Sequence, residues 1–215
     1  MGIVWLRFFR SLTILSGIGI AFICISVAQG PPENSSWLTP GKLTNVGLHL
    51  PSDMPTVANQ IPHQAGLPTD QEFSIQWNSL PSVASSVVKK QDVQNIPISP
   101  NFVILSRKHS LDGGTRTRAP MLVNDELVVA AATPGGEIRG LLIIWDPRAS
   151  FTEDVARGKK TDLVQPNVTF TLSIPDDAQI KKIVFLQPVS APGGGAILNF
   201  IGEIPLSDNR ITREP

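Results

Sequence analysis

The chain has 215 residues, 18 basic against 18 acidic side chains, 19 prolines, 17 glycines and one cysteine. That length sets a prior of one domain with appendages, and the proline and glycine content argues against long helices. Setting aside residues 1–28, which carry Arg7 and Arg10, leaves 16 basic residues against 18 acidic ones, a net charge of −2. This balance gives no electrostatic footprint for nucleic acid, so no nucleic-acid partner is expected.

Residues 1–28 have the pattern of an export leader. Arg7 and Arg10 form a basic start, Ser11 to Ala28 is uncharged and mostly apolar, and Ser26-Val27-Ala28 places small residues at the −3 and −1 positions of a cleavage site. Cleavage after Ala28 is the preferred reading. The alternative is a retained N-terminal membrane anchor, because the uncharged stretch reaches the lower edge of a membrane span. An anchor would leave the remainder outside the cytoplasm. Cys24 lacks the context of a lipid-attachment site, and beyond the leader no cysteine remains for a disulfide. The expected location is the periplasm or the cell surface.

Residues 29–70 hold Pro31, Pro32, Pro40, Pro51, Pro55, Pro62 and Pro68. Prolines at this density interrupt helices and strands, so the segment reads as an extended tether, with the apolar Leu43 to Leu50 able to lie along the edge of a domain. Asn34 and Asn167 stand in sequons, of which a chain of this length shows roughly one by chance, so they mark acceptor sites only in a host that glycosylates.

Residues 71–208 read as strands. Phe73, Ile75 and Trp77 alternate with polar residues, and Phe102 to Arg107 follows Pro97 and Pro100 as an apolar strand. The stretch around which the chain is organised is Glu126 to Arg148. Its apolar runs, Leu127 to Ala132 and Leu141 to Trp145, flank Thr133-Pro134-Gly135-Gly136, for which a type II turn is expected with Gly135 at positive φ. Runs apolar on both faces must be covered on both faces, so this hairpin is expected at the centre. About ten large side chains at roughly 2 kcal/mol each would make it the main stabilising element. Phe170, Leu172 and Ile174 give a clean two-residue period. Ile180 to Gln187 follows, with Lys181 and Lys182 read as protecting an edge, and then Ala196 to Leu206, where Gly202 marks a bulge. About seven strands with short connections and no convincing helix predict an antiparallel β-sandwich of immunoglobulin-like architecture, a barrel being the alternative. Residues 209–215 read as a polar tail that frays.

Catalytic chemistry has little support. There is no Gly-x-Ser-x-Gly elbow, and His49, His63 and His109 lack metal-ligand spacing, so no catalytic residue, metal or cofactor is expected. Glu153-Asp154 and Asp176-Asp177 read as solvated turn tips. Arg107, Lys108, His109, Arg116 and Arg118 gather within 12 residues, and arginine forks suit an anionic partner; the plainer alternative is a solvated connection. Trp145, Asp146 and Arg148 form a second candidate, an aromatic and an arginine at a strand end as in a binding hot spot. The plainer alternative there is Trp145 in the core, with Asp146 and Arg148 capping a turn. Arg116, Arg118, Trp145, Asp146 and Arg148 are therefore the candidate partner-binding residues. The expectation is an exported module that binds an envelope protein or polymer, touching membrane only through residues 1–28 if they are uncleaved. A hydrolytic enzyme or accessory domain, and a structural subunit assembling through edge strands, are the alternatives.

Overall fold

The computed structural model describes residues 35–52, 70–80, 86–93, 96–110, 121–154 and 157–206. Arg116, Arg118, the leader and the C-terminal tail lie outside the described residues.

The described chain is all-β apart from one short α-helix, α1 (Pro40–Thr44), and a single 3-10 turn at Lys90–Val93. The strands are β1 (Asp70–Asn78), β2 (Val88–Lys89), β3 (Asn101–Ser110), β4 (Glu126–Ala132), β5 (Ile138–Trp145), β6 (Ala149–Asp154), β7 (Lys159–Val164), β8 (Asn167–Pro175), β9 (Lys182–Ser190) and β10 (Ala196–Pro205). They form three antiparallel sheets, in the orders β3-β1-β8, β10-β9-β4-β5 and β2-β7-β6.

The first two sheets make a sandwich. Alternation turns Phe73, Ile75 and Trp77 of β1 and Leu172 and Ile174 of β8 inward, against Leu127 and Val129 of β4 and Ile183 and Phe185 of β9. Trp77, Phe102 and Phe185 stack through this core, with ring centroids 4.8 and 4.0 Å apart. In β10 the register shifts between Phe200 and Gly202, the bulge expected there. A Cβ on Gly202 would lie 2.6 Å from the Pro100 Cβ, which fixes glycine where the two sheets meet.

Strand β4 is buried at every position. Its second face, with Val128, Ala130 and Ala132, joins Ile143 of β5 and Leu186 of β9 in another core. Leu38, Leu43 and Leu48 cover that face. Part of the segment expected to be an extended tether is thus a packed strap, and the folded unit reaches back to residue 35. Thr39 caps α1 by accepting from the Lys42 N–H, and Pro40 opens the helix. His49 then pairs with the start of β5: its N–H donates to the Gly136 carbonyl (3.0 Å), and its carbonyl accepts from the Ile138 N–H (2.9 Å).

The strap also explains how the hairpin turns. Gly136, not Gly135, has the positive φ, at 91°. The Gly136 N–H donates to the Thr133 carbonyl (3.0 Å) and the Thr133 N–H to the Glu137 carbonyl (2.9 Å). This is a three-residue loop with a bulged glycine in place of the expected type II turn. A Cβ on Gly136 would stand 2.3 Å from the Gly47 carbonyl oxygen, so the turn accommodates the strap as well as the hairpin. The hairpin is central only in part: β4 is internal, whereas β5 ends its sheet. Conversely, β9 is internal, so Lys182 guards no edge and pairs instead with Glu203 at 3.3 Å.

Candidate functional site

At the end of β5, Asp146-Pro147 stops the strand because proline has no N–H to give. The Ala149 N–H returns to the Asp146 carbonyl at 3.0 Å, and the chain leaves as β6. Asp146 Oδ1 accepts from the Arg148 backbone N–H (2.9 Å) and from its Nε (2.9 Å), while Nη2 donates to Oδ2 at 2.5 Å. The guanidinium carbon lies 4.3 Å from the centroid of the buried Trp77 ring. The Arg148 and Asp146 side chains are 6% and 8% exposed, so this is a desolvated ion pair laid on the core aromatic stack. Trp145 points the other way, as alternation requires, and is 58% exposed. Of the paired sequence candidates, then, the aromatic faces solvent while the arginine and aspartate brace the turn.

That turn joins the sandwich to the third sheet, whose β6–β7 hairpin is not foreshadowed by apolar periodicity. Its signal is charge: the register sets Glu153 opposite Lys160 and Asp154 opposite Lys159. Glu153-Asp154 is thus part of a strand rather than a solvated tip. The Gln165 N–H donates to the Arg148 carbonyl (2.9 Å) and the Ser79 N–H to the Pro166 carbonyl (2.8 Å), tying the hairpin back to the sandwich.

Between this small sheet and the sandwich lies a cavity of about 560 Å³. Leu80, Ile96, Ile98, Leu163 and Val164 supply apolar wall. Trp145 and Phe151, each 58% exposed, also line it. Lys160 stands over the Phe151 ring, 4.4 Å from its centroid, and Lys90 is paired with Asp125. Rigid strands thus carry aromatic and apolar groups around a hollow of ligand size, the usual form of a binding pocket. Trp145, Asp146 and Arg148 all border it; Arg116 and Arg118 lie outside the described residues.

The polar groups at the opposite end of the sandwich are engaged with one another. Asp177 accepts from Arg139 Nε at 2.8 Å and from the Gln179 backbone N–H at 2.8 Å. Burial pushes the Asp177 carboxyl up, but these two donors outweigh it and hold the group below the usual carboxylate range. Asp177 in turn, against the lowering by burial, raises the Arg139 pKa. Asp176 meets His109 Nδ1 at 3.2 Å and accepts from the Gln71 side-chain amide. The Asp176-Asp177 pair is therefore a structural junction rather than a free turn tip. Arg107, Lys108 and His109 sit on β3, with Arg107 5.4 Å from the Phe73 ring centroid. Among the described residues no group of three or more His, Cys, Asp or Glu is placed to hold a metal ion, and no helix is long and apolar enough to cross a membrane.

No family model, curated protein or solved structure matches the chain.

Proposed function

We propose that this protein is an exported binding module that receives an envelope protein or polymer at the cavity between the small sheet and the sandwich. The observation that carries this reading is Trp145: a large aromatic side chain, 58% exposed, on a rigid strand end beside an apolar hollow. Exposed aromatics set over apolar pockets supply much of the binding energy at interfaces. The leader pattern of residues 1–28 supports export to the periplasm or cell surface, with membrane attachment if that segment is kept. We take the finer architecture as immunoglobulin-like. The order β10-β9-β4-β5 matches the G-F-C-C′ sheet of that plan, while β3-β1-β8 exchanges the first two strands of the facing sheet.

The test is capture from native envelope extract with the wild-type chain, followed by calorimetric titration of each identified partner against Trp145→Ala and Phe151→Ala. Both side chains are exposed, so folding should survive. Weakening by roughly tenfold or more in either variant is expected. Partners that bind both variants as tightly as the wild type would exclude the cavity as the receiving site.

A second reading, assembly through an edge strand, is favoured by β3. This ten-residue strand ends its sheet and leaves Val103 and Leu105 about half exposed. It requires high-mass species in light scattering at micromolar concentration, and a strict monomer would count against it. A hydrolytic reading would need carboxylates that are free to act. Of the three carboxylates lining the cavity, Asp125 and Asp146 are bound to Lys90 and Arg148, which leaves Asp162 alone for such a role.

A further inference from the structure

The charges lining the cavity balance, with Lys90, Arg148 and Lys160 against Asp125, Asp146 and Asp162. Lys90 is bound to Asp125, and Arg148 to Asp146. Lys160, over the Phe151 ring, and Asp162 on the same strand β7 add one charge of each sign to the lining. The interior between them is apolar, formed by residues such as Leu80, Ile96, Ile98 and Val164. An ionic ligand entering this space would lose its hydration without meeting a net countercharge, and that loss is heavily unfavourable. Asn124, Ser150 and Gln187, also on the lining, offer uncharged groups that can both donate and accept hydrogen bonds. An apolar body would therefore enter the hollow, while a hydroxyl- or amide-bearing head would meet these side chains and the half-exposed Trp145 and Phe151.

From this arrangement we infer, on the reading that the cavity is the binding site, that the part of the partner it receives is an uncharged amphiphilic group: an alkyl-like body with a hydroxylated or amide head. The size agrees, since 560 Å³ falls within the roughly 300–1,000 Å³ typical of small-molecule pockets. The head and body requirements are separable by experiment. They also separate this inference from binding of a bare polymer, which presents hydroxyls without an alkyl chain.

The full chain is titrated by calorimetry with octyl glucoside, octyl sulfate and octyltrimethylammonium, each below its micellar concentration, and with glucose alone. Octyl glucoside should bind at least roughly tenfold more tightly than either charged ligand, and glucose should give no heat. Ala149 is exposed and lines the cavity, so Ala149→Trp should fill the space and abolish binding. Phe151→Ala, at an exposed side chain that lines the cavity, should weaken it severalfold. A charged ligand that binds as tightly as octyl glucoside overturns the inference, as does binding that both variants retain. Failure of all three amphiphiles also overturns it, yet leaves the cavity's role to the partner titrations with Trp145→Ala. Glucose binding alone would point to a bare sugar polymer and would likewise overturn it.

Discussion

Replacing Arg148 with methionine keeps much of the side-chain volume over Trp77 but strips the buried Asp146 carboxylate of its three side-chain hydrogen bonds. Asp146 is 7% exposed and Arg148 is 5% exposed, so solvent cannot replace the lost partner. Removing one member of such a pair costs about 3–5 kcal/mol, and the lost contact with the Trp77 ring adds roughly another 1 kcal/mol. For a chain of this size each kcal/mol moves the melting temperature by about 2–4 °C. Arg148→Met should therefore melt roughly 8–24 °C below the wild type in circular dichroism. The double variant Asp146→Ala/Arg148→Met removes the stranded carboxylate as well and should recover most of that loss, as apolar replacement of buried ion pairs generally does. The cycle of two singles and one double, followed by urea unfolding, isolates the coupling between the two side chains. A loss below about 1 kcal/mol in Arg148→Met would refute the reasoning, because losses that small are typical of solvated surface pairs. Unchanged stability with lost partner binding would instead make Arg148 a contact residue, the role the sequence alone suggests.

Leu43→Ala should lower stability by about 2–5 kcal/mol in urea unfolding, since Leu43 is fully buried in the strap over the four-stranded sheet; a change under about 0.5 kcal/mol, typical of surface positions, would show the strap to be loosely held. Gly136→Ala should be destabilising by more than about 1–2 kcal/mol, because it adds a left-handed alanine and a clash with the Gly47 carbonyl, whereas Gly135→Ala, whose Cβ meets nothing closer than 3.9 Å, should be nearly neutral. The Asp177 carboxyl has a folded-state pKa below its unfolded value of about 3.9. Below that value the unfolded chain binds more protons than the folded one, so stability falls as pH drops. The advantage of wild type over Asp177→Asn should therefore be full above about pH 4 and decline below it as the folded-state pKa is passed; a difference that stays constant down to pH 2 would contradict this.

Most strands of the sandwich were readable because their side chains alternate: Phe73, Ile75 and Trp77, or Phe170, Leu172 and Ile174, show period two on their face. The both-faced burial of β4 was readable too, from its unbroken apolar run. What covered the second face was not. Leu38, Leu43 and Leu48 are spaced through a proline-rich segment, and only the tertiary position of the sheet shows that they share a surface. The β6–β7 hairpin escaped because it carries few apolar residues, and its charge pairing matters only once the register is known. At the candidate site, the dipeptide Asp146-Pro147 correctly marks a strand end. Which of Trp145 and Arg148 turns inward was not decidable from composition. The outcome runs against hydrophobicity, because Trp77 already fills the core and its ring face accepts the guanidinium.

The strap sets an order of events in time. Ser35 is made early, yet its carbonyl accepts a hydrogen bond from the Ala196 N–H, and the strap leucines rest on β4, β5, β9 and β10. The first-made part of the folded unit must therefore wait for the last-made strand before it finds its seat. Strand β1 waits similarly, since one of its two neighbours is β8. Pairings between such distant parts of a chain form slowly, as the ends must meet before any contact rewards the search. A nascent chain that has not yet reached β10 holds its apolar strap unseated and its four-stranded sheet incomplete. The folded unit therefore closes only once β10 has been made and has joined both β9 and the strap.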